Sequence, residues 1–382
     1  MPPDPTADQR FFRETTRDFL AETMPVSVVR ALADAGTGFD RHWWRRGAEL
    51  GWTAMLVPES LGGGTVSGRP MTELALIATE LGRACAPGPF VTTSAVLAGL
   101  AADSESRADL ITAVLAGDEV VSWAIYEPGS GFQALAAEAA TDAPTTTRAE
   151  PDGDGYRLTG VKDRVEAADQ ADLFLVTAST ARGPIQLLVR ADAPGVTVTP
   201  GWTLDLVRRT ARVSFDDVAV AADAVVHTGP EAAKAVRAQA CTAAILTAAE
   251  MVGATDRALD ATLGWLTDRY TFGRPLASYQ ALKHRMADNK TWLEACRATA
   301  TAAAAAWDED PATAAEAVSV AKSYVGAKAP VIAQDCVQLH GGIGVTWEHD
   351  LHLYLRRITL GRALYGTPEE HRRHITDLLA AA

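Results

Sequence analysis

Three long alanine-rich stretches toward the C-terminus constrain this chain more than any other feature. They run from about Glu231 to Thr267, from about Tyr279 to Trp307 and from about Pro311 to Leu339. Alanine has the highest helix propensity, and segments of this length with helical apolar spacing read as helices. Thr271-Phe272-Gly273-Arg274-Pro275 separates the first from the second, and Gly341-Gly342-Ile343-Gly344 follows the third as a tight turn. Long helices on short joints bury their apolar stripes only against one another, which predicts an antiparallel bundle.

The middle of the chain has a different pattern. From about Val120 to about Val226, short runs rich in Val, Ile, Leu, Phe and Thr alternate with Gly, Pro and Asp. Asp152-Gly153-Asp154-Gly155 reads as a hairpin tip, with Tyr156 to Gly160 as the returning strand. Leu173 to Thr177, Ile185 to Val189, Val196 to Thr199 and Arg212 to Phe215 read as further strands of a small all-β domain. The first third is helical again. Phe11, Phe12, Phe19 and Leu20 recur at helical spacing, Trp43 to Trp52 forms a second stretch, and Met71 to Leu81 a third, stopped by Pro87-Gly88-Pro89. The expected division is a helical domain over 1–119, a β-domain over 120–228 and a helical bundle over 229–382.

Charge and cysteine usage narrow the function classes. Lys plus Arg is 35 and Asp plus Glu 48, so the net charge is 35 − 48 = −13. A chain this acidic lacks the basic face that nucleic-acid binding needs. Cys85, Cys241, Cys296 and Cys336 form no CxxC pair, so they read as free buried thiols. No apolar run is long enough to span a bilayer, and the start lacks a signal-peptide pattern, so the expected location is cytoplasmic. His340, His349 and His352 lie close together without metal-ligand spacing, and no metal site is expected. His371-Arg372-Arg373-His374 reads as a basic cluster suited to a helix C-terminus, and Trp43-Trp44 as the buried face of an amphipathic helix.

Four motifs in order resemble the acyl-CoA dehydrogenase family over essentially the whole chain. Gly51-Trp52 through Val57-Pro58-Glu59 and Gly62-Gly63 resembles the N-terminal signature. Glu127-Pro128-Gly129-Ser130-Gly131 resembles the EPGxGS segment. Asp268 to Pro275 with Gln280 resembles the RxxFGxxxxxxQ signature, and Gln338 to Gly344 the QxxGGxG loop. The resemblance implies a multidomain α+β fold, with an N-terminal α-helical domain, a middle β-barrel and a C-terminal four-helix bundle. It implies FAD, an acyl-CoA substrate and α,β-desaturation, with electron-transfer flavoprotein or an equivalent acceptor. A carboxylate base, donors to the thioester oxygen and a flavin against the acyl chain are what that chemistry needs.

In this family FAD is shared across a dimer interface, so the two halves of the site are judged separately. For a neighbour's cofactor, the resemblance assigns Arg269 to the diphosphate, Phe272 and Thr271 to the adenine side, and Gln280, Gln338, Gly341 and Gly342 to the same region. Taken alone, Arg269 would be a helix-end ion pair and Gly341-Gly342 a helix cap and turn. Gly366-Thr367 resembles the GT element that meets the diphosphate in its own subunit. The chemistry-bearing half departs from the pattern. Tyr365 and Ala243, with Ala244 beside it, stand at the two places where family members carry the glutamate base. A phenol is a poor base and alanine is none. Glu250 reads as a surface or interhelical glutamate at the wrong depth. Tyr126 replaces the hydroxyl residue before EPG, Phe132 the serine after GxG, and Arg164-Val165-Glu166 the flavin-covering WxT/S string.

The catalytic residue is therefore unassigned. The resemblance implies one subunit of a heterodimer or α2β2 heterotetramer that completes the FAD site of a catalytic partner, as in bacterial members that act on steroid side chains. A self-sufficient flavoenzyme with altered chemistry and a non-enzymatic acyl-CoA-binding scaffold are the alternatives.

Overall fold

The computed structural model describes residues 5–100, 105–132 and 146–381; Met1 to Asp4 of the opening segment lie outside them. Among the described residues six α-helices come first: α1 (Ala7–Thr23), α2 (Val26–Ala35), α3 (Arg41–Glu49), α4 (Pro70–Ala84), α5 (Phe90–Leu100) and α6 (Ala108–Leu115). Thr6 and Gln9 form a reciprocal capping box that starts α1. Phe12, Thr16, Phe19 and Leu20 then fall on one buried face. Asp40 caps α3 and delivers Trp43 and Trp44 to the core, where they meet Trp52 edge-on or tilted. The helix expected through Trp52 stops at Glu49, because Gly51 takes φ +93 and turns the chain.

Among the described residues eight strands follow: β1 (Val121–Ala124), β2 (Arg148–Asp152), β3 (Gly155–Glu166), β4 (Leu173–Thr180), β5 (Gly183–Arg190), β6 (Val196–Pro200), β7 (Thr210–Val220) and β8 (Val225–Thr228). Their order is β6-β7-β3-β2-β4-β5-β8, with β1 added parallel to β4. The hairpin tip lies where the glycines placed it, with Asp152 opposite Gly155. One face of this β-barrel closes on its own cluster, including Leu158, Phe174, Ile185, Leu187, Val213 and Phe215. Side chains such as Trp123, Leu175 and Leu188 join the larger helical core instead. The β3–β7 ladder shifts register between Lys162 and Val165, and Arg164 there has φ +49. This bulge bends the strand end and leaves both Val165 and Glu166 buried.

The bundle consists of α7 (Gly229–Asp268), α8 (Gln280–Glu309), α9 (Ala315–His340) and α10 (Leu351–Ala363), with α11 (Pro368–Ala381) packed on α9. A small hairpin, β9 (Tyr270–Thr271) and β10 (Arg274–Pro275), joins α7 to α8. The single final helix expected from the sequence is two, because Tyr365 and Gly366 both adopt positive φ. Helices α4 and α7 touch backbone to backbone. A Cβ on Gly82 would lie 2.0 Å from the Glu250 carbonyl oxygen, and one on Gly253 would lie 1.9 Å from that of Thr79. That contact fixes how far Glu250 reaches toward the sheet. All four cysteines are free and buried. Among the described residues no helix is long and apolar enough to cross a membrane.

Candidate cofactor site

The residues that depart from the family pattern meet between the sheet and the bundle. Tyr126, Phe132 and Tyr365 are all buried, and their ring centroids lie 5.3 to 6.2 Å apart. Trp123 stacks on Tyr365 at 6.3 Å and meets Phe132 edge-on at 6.4 Å. The Tyr126 hydroxyl accepts the backbone N–H of Tyr365 at 2.5 Å. Arg164 lies over the Tyr126 ring at 4.0 Å and donates to the Ser130 carbonyl at 2.6 Å. Burial holds both phenols above their ordinary pKa, with Glu166 pushing Tyr365 further up. Neither phenol ionises near neutrality.

A chain of buried charges continues from this aromatic group. The Tyr365 hydroxyl donates to Glu166 at 3.1 Å. Arg208 grips both Glu166 oxygens, at 2.9 and 3.0 Å, and also bonds Glu250. Arg357 bonds Glu250 at 2.6 Å, Asp205, and the Ala86 carbonyl at 2.9 Å. Asp205 accepts the backbone N–H groups of Val207 and Arg208. All five charged groups are buried. Burial opposes the charge on each arginine, but the facing carboxylates outweigh it and raise both pKa values. For Asp205, burial is likewise outweighed by Arg357, and its pKa falls. The cavity left against Ala78, Leu81, Phe90 and Val91 is about 10 Å³, the room of a single water.

Behind Tyr365, the GT element is bonded to its own helix. The Thr367 N–H and hydroxyl both donate to Glu370, at 2.7 and 2.9 Å, and the other Glu370 oxygen accepts the Phe132 N–H at 3.0 Å. Gly366 is buried, and its carbonyl accepts from the fully buried Lys322 at 2.7 Å. Burial brings the Lys322 pKa down to about 7. His371 donates from Nε2 to the Tyr365 carbonyl at 2.9 Å, and its Nδ1 accepts from Ser319 at 3.2 Å. The expected basic cluster is therefore corrected. It sits in the first half of α11, and His371 and His374 face inward as buried rings.

Ala243 and Ala244 are buried in α7 with no titratable atom to offer. Glu250 is not a surface residue; it is interhelical and tied to two arginines. Arg208, Arg357, Asp205 and Lys322 were missed in the sequence. Arg357 carried a readable signal: with Leu353 and Gly361 it occupies i−4, i and i+4 of one buried face of α10. Arg208 and Asp205 carried none, since they lie on a loop.

The other predicted cofactor residues gather at a different corner. Arg269 caps α7, with its N–H on the Trp265 carbonyl at 2.9 Å. Thr271 and Phe272 form the β9–β10 hairpin, closed by Leu276 N–H on the Arg269 carbonyl at 2.8 Å and by the Tyr279 hydroxyl on the Thr271 carbonyl at 2.8 Å. Phe272 is 94% exposed with φ +52. Gln280 opens α8 and is exposed, as are Gln338, Gly341 and Gly342 near the end of α9. Nothing lies within 4 Å of a Cβ built on either glycine. Trp265 stacks on His340, which joins the ends of α7 and α9. His349 meets Trp265 and His340 edge-on, His352 stacks on Trp347, and among the described residues no group is arranged to hold a metal.

Helices, a sheet closed on its own core, and a four-helix bundle with two separated candidate regions define the three-part dehydrogenase fold that the motifs imply. The chain belongs to the acyl-CoA dehydrogenase family: the family's N-terminal domain matches residues 6–118, its middle domain 122–218 and its C-terminal domain 233–379. It is 32% identical over 373 residues to acyl-CoA dehydrogenase IpdE2 of Mycobacterium tuberculosis, covering 97% of each chain. Among solved structures it is similar to a variant of the Tcur3481–Tcur3483 steroid ACAD, with TM-score 0.85, 29% identity and 98% of each chain covered. It is also similar to the ChsE4–ChsE5 complex from Mycobacterium tuberculosis, with TM-score 0.85, 27% identity, and 99% of this chain and 98% of that chain covered.

The family's cofactor is FAD. The two regions fit it unequally. Between sheet and bundle, aromatic rings and ion pairs fill the space and a carboxylate holds the GT donors. Among the described residues no space is left there for a flavin ring. The exposed corner offers an arginine, an uncovered aromatic ring and open glycines, which suit the diphosphate and adenine of a dinucleotide.

Proposed function

We propose that this chain is the non-catalytic subunit of a hetero-oligomeric acyl-CoA dehydrogenase and completes the FAD site of a catalytic partner. One observation carries the reading. The residues at the family's flavin and base positions pack on one another in a closed interior, while the elements for a neighbour's cofactor stand exposed. Drift at solvated positions would leave unrelated side chains in water, not an interlocked and buried set.

The division of labour follows. Arg269 brings a guanidinium to the diphosphate, Phe272 a wall to the adenine, and Gly341-Gly342 allow close backbone approach. Gln338 and Gln280 supply amides beside them. Gly366-Thr367, bonded to Glu370, makes no cofactor contact in this reading. Bound FAD supplies the hydride acceptor, and the base, flavin ring and acyl-CoA belong to the partner. Electron-transfer flavoprotein or an equivalent acceptor would reoxidise that partner. The likeness to a two-component steroid ACAD and to the ChsE4–ChsE5 complex supports a paired subunit and a polycyclic acyl group.

Purification tests this. The chain alone is expected to be colourless. Together with a catalytic acyl-CoA dehydrogenase subunit that carries the base, it should form a yellow complex with one flavin per pair of subunits. A yellow, active protein from this chain alone would overturn the proposal.

A further inference from the structure

The exposed corner rests on two stacked rings, Trp265 outside the quoted motifs and His340 at a variable position of the QxxGGxG loop. Trp265 lies in the last turn of α7, four residues before Arg269. Its ring centroid is 5.3 Å from that of His340, with 19° between the planes. The Arg269 guanidinium carbon is 5.8 Å from the centre of the Trp265 ring. Arg269 makes no ion pair among the described residues, and its guanidinium lies against this ring.

His340 is fixed in turn. Its Nδ1 donates to the Cys336 carbonyl at 2.8 Å, which leaves Nε2 as a buried lone pair without a partner. The His349 ring meets it at 4.5 Å. His349 Nδ1 accepts the Leu351 N–H, so the start of α10 joins the same stack. Gly341 follows His340 directly at φ +66 and ψ −143, a backbone that suits glycine. The direction of the His340 ring and the direction of the glycine loop are therefore set together.

We propose that Trp265 and His340 are positioning residues for the partner's FAD: their stacked rings hold Arg269 and the Gly341-Gly342 loop in one fixed relation that receives the diphosphate. This rests on the function proposed above. A cation over an indole face is preorganised without a carboxylate, so it keeps its full charge for an incoming anion. An ion-paired arginine would have to exchange one partner for another. A mobile one would lose rotamer freedom on binding.

The test uses the co-expressed complex, stripped of flavin and titrated with FAD by flavin fluorescence. Arg269→Ala is expected to weaken FAD binding about 100-fold, and Trp265→Leu about tenfold. The double variant should be no weaker than Arg269→Ala, because the indole acts through the guanidinium. Trp265→Phe keeps a π face and should bind within about threefold of the native complex. His340→Phe should retain FAD where His340→Ala does not. Additive losses for Trp265→Leu and Arg269→Ala, or equal losses for Trp265→Leu and Trp265→Phe, would reduce the stack to ordinary packing and overturn the proposal. If Trp265→Leu does not assemble, the two His340 variants decide by the same criterion. An Arg269→Ala complex that binds FAD normally would instead overturn the function proposed above.

Discussion

Tyr365, which the motif resemblance aligns with the family's base, has φ +53, a left-handed backbone that bulky residues rarely adopt. Such conformations cost on the order of 1 kcal/mol and persist where the surroundings enforce them. Here they are enforced by the Tyr126 hydroxyl on its N–H, His371 on its carbonyl and Glu166 on its phenol. On the proposed reading the backbone of a catalytic position is retained while its side chain serves packing. Tyr365→Phe removes one hydrogen bond to a carboxylate that Arg208 still holds. Urea unfolding should show a loss of about 1–2 kcal/mol. Tyr365→Glu should lower stability further and yield no dehydrogenation, because a new carboxylate would face Glu166 in a cluster that already has three carboxylates for two guanidinium groups. The replaced positions were legible in the sequence, since each stands inside a recognisable motif. Their mutual contact was not legible, because Tyr126, Glu166 and Tyr365 are joined only through tertiary structure.

At the scale of elements, the ion chain ties α7, α10, the end of β3 and the β6–β7 loop together. A buried pair is strongly destabilised when one partner goes, because the other charge stays behind unpaired. Arg357→Leu leaves Asp205 without its arginine and Glu250 with one of two. Denaturant unfolding should report a loss of about 3–5 kcal/mol, and the chain should remain colourless. The α9–α11 contact adds a pH dependence. Burial lowers the His371 pKa to about 3, with Lys322 adding to the shift. The unfolded ring takes its proton near pH 6.5 and the folded one does not, so the unfolded state binds more protons between those values. Stability is then lost as pH falls from about 6.5 toward 3, by on the order of 4 kcal/mol from this residue. His371→Gln keeps a donor for the Tyr365 carbonyl and removes the titration, so the native chain should show the steeper slope in paired pH-unfolding series. Sequence periodicity located most of the long elements, because helical spacing and alanine content are local. It did not find the β3 bulge, which exists only in register with β7, or the break that splits α10 from α11.

For the molecule as a whole, the two regions have opposite relations to solvent, and that asymmetry predicts how FAD affects stability. A ligand stabilises what binds it by RT ln(1 + [L]/Kd), which is about 2.7 kcal/mol at 100 times Kd. On the proposed reading the chain alone presents only the diphosphate and adenine corner, and among the described residues the interior leaves no room for a flavin ring. Its melting temperature should therefore stay unchanged on adding FAD. In the proposed complex that corner would join the partner's flavin pocket, and the melting temperature should rise on the order of 2 °C or more under the same conditions. Arg269→Ala in this chain should abolish most of that rise without altering the melting temperature of the flavin-free complex, because Arg269 is exposed and makes no ion pair among the described residues. A net charge of −13 makes the contrast sharper. An acidic surface repels a dinucleotide in general, so a rise that depends on one exposed arginine reports a local site rather than non-specific attraction. Equal shifts for the isolated chain and the complex would mean that the closed interior opens to flavin after all.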